Sequence, residues 1–272
     1  MKMTKGPTLI TSTNLSLAWA RLFTLSMTPG NDEIGQAIVY IKPTESGLED
    51  GRIRSLLDHH LLEGADKRRQ SCDTVAKTIF PHTLVRKGHS REDLYATYNK
   101  LLPQLMKTPA NRDGTYFQRM ISYLPSGSNV TPVNQLEKII RDLIAQRTRR
   151  SGLELAIFDP TRDHTNEPYL SFPCLHQVAL SFTDADTLTL TALYPLHYIY
   201  ERAYGNYLGL LRLGQFIAAE SGHRLVSVVC VAGVAKREVS KSAVMTLNES
   251  ILSHVAGLGG FEAQYTTCTL SA

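Results

Sequence analysis

The chain has 272 residues, 43% of them hydrophobic and 20% charged, with a formal net charge of +4. This is enough chain for a sizeable core and an ordinary composition for a globular protein. The charge is too small to argue for nucleic acid by itself. No apolar run reaches the ~18 residues of a membrane span, and Met1-Lys2-Met3-Thr4-Lys5 is not followed by an apolar segment of signal-peptide length. The expected compartment is the cytoplasm. The cysteines Cys72, Cys174, Cys230 and Cys268 are scattered without a C-x-x-C pair, which argues against a zinc site or a disulfide framework.

Apolar spacing predicts a helix over 14–25, with Asn14 placed to cap it. Pro29-Gly30-Asn31-Asp32 reads as a turn, 37–41 as a strand and 43–53 as a loop. A helix is expected to start at Ser90, where Ser90-Arg91-Glu92-Asp93 offers a capping box, and to break or bend at Pro103. Pro125-Ser126-Gly127-Ser128-Asn129 is a loop. Residues 133–146 form an amphipathic helix with Leu136, Ile139, Ile140, Leu143 and Ile144 on one face. The second half turns to strands, at 153–158, 178–182, 187–193 and 225–232. A mostly apolar helix covers 208–219 and ends before Gly222, and a short helix covers 248–255. With no repeat, low-complexity tract or linker, a single α+β domain over 1–272 is expected.

Several segments carry a family resemblance through their order and spacing. They are Thr74 to Pro81, Gly114-Thr115-Tyr116-Phe117-Gln118-Arg119-Met120, Arg149-Arg150 followed by 153–160, Pro168 to His176 around Pro173-Cys174, and Gly205-Asn206-Tyr207-Leu208-Gly209-Leu210. Together they resemble the thymidylate synthase and pyrimidine (deoxy)nucleotide hydroxymethylase superfamily, in its archaeal-type branch. The resemblance covers residues 74–235. It implies a large mixed sheet with flanking helices and a homodimer formed through that sheet. It also implies C5 methylation or hydroxymethylation of a pyrimidine, with 5,10-methylenetetrahydrofolate as the one-carbon donor. Cys174 stands as the nucleophile, His197 where many relatives have histidine, and Asn206 as the reader of the base. Tyr116 and Arg119 would position a ring or cofactor, and Arg149 and Arg150 would reach the partner subunit's substrate phosphate.

Residue chemistry leaves alternatives beside each role. Thiolate addition at C6 makes pyrimidine C5 enolate-like, and cysteine is both a strong nucleophile and a competent leaving group. A lone cysteine is also commonly a buried structural residue. An asparagine amide matches the O4/N3–H edge of uracil, yet Asn206 could equally cap the following helix. His197 or His176 could tune the thiolate or be ordinary polar histidines. Arg119 could satisfy buried carbonyls.

The resemblance breaks at definite positions. The family's phosphate-binding arginine falls on Pro195, the neighbouring serine on Leu196 and an acidic position on Tyr198. Ala235-Lys236-Arg237-Glu238 stands where the family carries a histidine and a tyrosine that hold the sugar, and the ending 265–272 is unlike the family's folate-closing segment. Loss of the bidentate arginine contact argues against an ordinary nucleoside 5′-monophosphate. The substrate expected is a different pyrimidine nucleotide or a pyrimidine base in nucleic acid. The alternatives are a catalytically inactive binding protein and a structural subunit. The basic clusters Lys67-Arg68-Arg69 and Arg147-Thr148-Arg149-Arg150 would be polynucleotide contacts or solvated faces.

Overall fold

The computed structural model of the chain describes residues 6–43, 47–64, 66, 68–111, 113–124, 131–146, 149–164, 166 and 173–261. Lys67, Arg147, Thr148, Cys268, the loop 125–129, the stretch 168–172 and the ending 265–272 lie outside the described residues. The elements run β1 (Thr8–Ser12), α1 (Leu15–Ser26), β2 (Glu33–Ile41), α2 (Gly51–Glu63), α3 (Cys72–Ile79), α4 (Arg91–Leu105), α5 (Tyr116–Ile121), α6 (Gln135–Ile144) and β3 (Glu154–Ala156). They continue with α7 (Pro160–Asp163), β4 (Gln177–Phe182), β5 (Thr187–Tyr198), a π-helical turn (Ile199–Ala203), α8 (Tyr204–Ser221), β6 (Arg224–Lys236) and α9 (Met245–Gly257).

The predicted caps are in place. The Asn14 side chain accepts from the Ser16 and Leu17 N–H groups at the start of α1. Ser90 and Asp93 form the reciprocal capping box of α4. Gly222 ends α8 at φ +72°, a left-handed conformation that costs glycine least. Three sequence expectations change. The loop expected over 43–53 gives way to α2 at Gly51, capped by Asp50 and buried only along Ile53, Leu57 and Leu61. That stripe is too thin to stand out as a period. Pro103 sits in the last turn of α4, so few ladder bonds are lost and the helix continues to Leu105. Ile144, expected on the apolar face of α6, is exposed at its end.

The fold is α+β, as expected, with one mixed six-stranded sheet ordered β1-β2-β6-β5-β4-β3. β1 pairs parallel with β2 and β5 parallel with β6, while the remaining pairs are antiparallel. The first parallel pair is joined through α1. The second is joined through the π-helical turn and α8. Strand alternation divides the faces. Val39, Cys230, Ala192 and Val178 form one cross-strand row and are buried. α1 packs against β1 and β2, and α8 against β5 and β6. The opposite row Leu9–Ile38–Val231–Leu193–Gln177 and its neighbour Thr11–Tyr40–Val229–Thr191–Ala179 remain half-buried or exposed. No helix among the described residues is long and apolar enough to cross a membrane.

Candidate active site around Cys174

The site forms where β5 runs out and the chain turns into α8. π-helical turns are rare and recur at functional sites, and this one is held from three sides. Trp19 Nε1 of α1 donates to the Ile199 carbonyl at 2.8 Å. His60 Nδ1 of α2 shares a 2.7 Å hydrogen bond with the Tyr200 hydroxyl. The Glu238 carboxylate, just beyond β6, accepts the N–H groups of Tyr200 at 3.3 Å and Glu201 at 2.6 Å. Burial pushes the Glu238 carboxyl up to about 7, while those two N–H bonds oppose the rise.

Held in this way, the turn brings Glu201 and Arg202, and one helical turn later Asn206, to a cavity of about 180 Å³. Cys174, Tyr116 and His197 line the same cavity. Cys174 is half-buried, whereas Cys72 and Cys230 are buried. Burial pushes the Cys174 thiol up, and the positive charge of Arg202 pulls it back down. The Tyr116 hydroxyl accepts the backbone N–H groups of Cys174 and Leu175, which ties the cysteine segment to the start of α5. Burial raises the Tyr116 hydroxyl, so it stays protonated. The buried Tyr194 hydroxyl has no hydrogen-bond partner among the described residues and lies within electrostatic reach of Cys174 and Tyr116.

His197 is 1% exposed, and burial lowers it to about 3. It is therefore a neutral ring and cannot supply the cation beside the thiol. Its ring stacks on Tyr194 with centroids 4.1 Å apart, and its Nε2 accepts from Asn206 Nδ2 at 3.0 Å. This bond places the tautomeric proton on Nδ1, which faces the Cys230 sulfur at 3.9 Å. Asn206 is the third residue of α8, and the cap position belongs to Ala203. The capping alternative for Asn206 is therefore replaced by a side-chain bond inside the site. One Nδ2 hydrogen goes to His197, so Asn206 keeps its second N–H and its carbonyl oxygen for a ligand.

The other residues singled out from sequence lie elsewhere. Arg119 is absent from the cavity lining. Its guanidinium is buried against Asp163, with Nη2 2.8 Å from Oδ1 and Nη1 2.7 Å from the Ile157 carbonyl, so the alternative of a buried structural arginine describes it. Arg149 and Arg150 stand exposed on a short turn before β3, also outside the lining. His176 stacks on Phe158 at 4.3 Å and does not face the cavity. Lys236 pairs with Glu33 at 2.9 Å, and Arg237 is buried against Asp32 and the Val239 carbonyl. Of the first basic cluster, Arg68 pairs with Asp66 at 2.9 Å and Arg69 with Glu201 at 2.9 Å. Pro195 and Leu196 are exposed, and Tyr198 lies at the cavity edge.

Sequence reading missed Gln70, Asn111, Glu201 and Arg202 among the lining residues, while Val75 and Thr78 belong to the Thr74–Pro81 segment that it had singled out. Only Arg202 carried a local signal, standing four residues before Asn206 and so on the same helical face. No protein-family model matches this chain, and no curated protein matches it at a significant level.

Proposed function

We propose that this protein transfers a one-carbon unit to C5 of a pyrimidine through a covalent adduct of Cys174, as a divergent thymidylate synthase-like enzyme. The observation that carries this reading is the convergence of Cys174, Tyr116, His197 and Asn206, from distant parts of the chain, on one cavity. In the reaction the Cys174 thiolate forms a C–S bond at C6, and the C5=C6 electron pair moves toward the C4 carbonyl. C5 then bonds to an electrophile and loses its proton, and elimination expels the thiolate and restores the ring. Asn206, oriented by neutral His197, reads the base edge. Tyr116 holds the cysteine backbone in place.

The cavity, at about 180 Å³, is below the roughly 300–1,000 Å³ of sites for drug-sized ligands. It suits one ring, with the remainder of a pyrimidine nucleotide, or of a base in nucleic acid, outside the mouth. It does not hold a pyrimidine and a pterin together. The cavity therefore does not fit 5,10-methylenetetrahydrofolate, the donor implied by resemblance, alongside the ring.

The bare sheet face, with Ile38, Val231 and Leu193 across three strands, supports a homodimer built on the sheet. Sedimentation is expected to show a dimer that Leu193→Glu converts to monomer. A wild-type monomer at micromolar concentration would remove this part of the reading.

A second reading, an inactive binding or structural subunit, is favoured by the upward shift of the Cys174 thiol and by uncharged Pro195 and Leu196 at phosphate-contact positions. Release of tritium from C5-labelled pyrimidines decides between them. The panel takes uracil and cytosine nucleosides, their mono- and triphosphates, and single-stranded DNA. Wild type is expected to release label from at least one, and Cys174→Ser to fall to background. No release from any of them by folded protein would leave the binding role.

A further inference from the structure

Arg202 is a half-buried cation without a counter-ion among the described residues. Its neighbour in the chain, Glu201, is taken by Arg69 at 2.9 Å. Among the described residues no carboxylate pairs with Arg202, whose hydrogen bond runs from Nη1 to the neutral Gln70 Oε1 at 3.0 Å. A guanidinium carries five N–H donors in a rigid fork, so this bond fixes its direction and leaves most of its donors unused. Partly desolvated charges are costly unless they are paired, and here the open side of the charge is the cavity it lines with Cys174. The lining also holds the Glu201 carboxylate, already paired with Arg69, and its other polar members, such as Thr78 and Asn111, are neutral. The π-helical turn that delivers Arg202 is anchored by Trp19, His60 and Glu238, so the fork is presented with little freedom to move away.

We infer that Arg202 is the ligand-recognition residue of this cavity, holding an anionic oxygen group of the ligand beside the Cys174 sulfur. The inference rests on reading the Cys174 cavity as the reaction site and specifies its ligand as an oxyanion. The same charge faces the thiolate, so Arg202 serves both the bound anion and the nucleophile. Position 195, where the resemblance places an arginine, is proline. Arg202 approaches the site from the start of α8 instead of from β5.

The test is the rate of Cys174 alkylation by iodoacetate relative to iodoacetamide, followed site by site in wild type, Arg202→Gln and Arg202→Lys. In both reagents the thiolate forms a C–S bond and expels iodide, and only iodoacetate carries a carboxylate. The iodoacetate-to-iodoacetamide ratio is expected to fall about tenfold in Arg202→Gln, the size of a lost charge-assisted hydrogen bond, with Arg202→Lys in between. Inorganic phosphate is expected to slow iodoacetate capture in wild type and not in Arg202→Gln. The ratio separates recognition from thiol activation, because a change in the thiolate fraction alters both rates equally. An unchanged ratio overturns the inference, and if Arg202→Gln does not fold, the Arg202→Lys ratio carries the test. Tritium release that needs Cys174 but not Arg202 overturns this inference alone. An Arg202-dependent ratio without any C5 exchange keeps the anion site and removes the proposed reaction.

Discussion

Replacing Arg119 with methionine is expected to cost about 3–5 kcal/mol of unfolding free energy, the usual penalty for leaving one partner of a buried ion pair alone. Arg119 and Asp163 have side chains only 6% and 4% exposed. Asp163 Oδ2 also accepts the Asp159 N–H at 2.7 Å, and Gln135 Nε2 donates to the Arg119 carbonyl at 2.9 Å. The pair therefore ties α5 to α7 and α6 and to the segment after β3. Methionine matches the length of the arginine stem but leaves the Asp163 carboxylate without its cation in a site that water cannot reach. Pairing Arg119→Met with Asp163→Asn removes that charge and keeps an acceptor for the Asp159 N–H, so the double variant is expected to recover about half of the loss. Urea unfolding of the two single variants and the double gives the coupling directly. A cost below about 1 kcal/mol for Arg119→Met, or simple additivity, would sink the assignment of a structural pair. Because Arg119 points away from the cavity, the folded fraction of each variant is expected to keep the wild-type alkylation ratio at Cys174.

Gly205→Ala is the second large effect. α3 and α8 cross so closely here that a Cβ on Gly205 would lie 2.5 Å from Val75 Cβ and 2.7 Å from the Cys72 carbonyl oxygen. Alanine in an open helix gains about 1 kcal/mol over glycine. Overpacking against backbone works the other way, by about 1–3 kcal/mol or more, and here it is expected to win. Truncating Val75 to alanine removes only its Cγ1, also 2.7 Å away, and leaves Val75 Cβ and the Cys72 carbonyl in place, so that second change is expected to give little rescue. The two helices must then separate, which moves Asn206 and Arg202 on one side away from Val75 and Thr78 on the other. Loss of stability and loss of the iodoacetate preference should therefore appear together. A Gly205→Ala protein as stable as wild type in urea would show that the crossing has slack.

These two cases also show where local sequence signals stop. The cap at Asn14, the Ser90–Asp93 box and the left-handed end at Gly222 were legible because each is made by residues within a few positions of one another. The strands of the second half were legible from apolar alternation, although β5 and β6 run further than the pattern, to Tyr198 and Lys236. β1, α2 and the short helices α3, α5 and α7 were not recognised. β1 is short and leans on β2 for its definition, and α2 buries only a narrow stripe. Within the candidate site, Cys174, Tyr116, His197 and Asn206 were named from sequence and meet at the cavity. Arg119 was named too, and the structure gives it a different neighbourhood.

What the sequence determined by itself is the α+β class, the limits of α1 and α6, the start of α4, the end of α8 and a short set of chemically capable residues, because periodicity and capping act over one or two turns of chain. Only the tertiary structure decided which charges are already satisfied. Arg69 meets Glu201 across 132 residues, and Arg119 meets Asp163 across 44. Arg202 has no carboxylate partner among the described residues for the same reason: Glu201, its neighbour in the chain, is claimed by an arginine that folding brings to it. Charge pairing depends on distance and desolvation, and both are set by how α2, α3, the π-helical turn and β6 pack together, not by spacing along the chain.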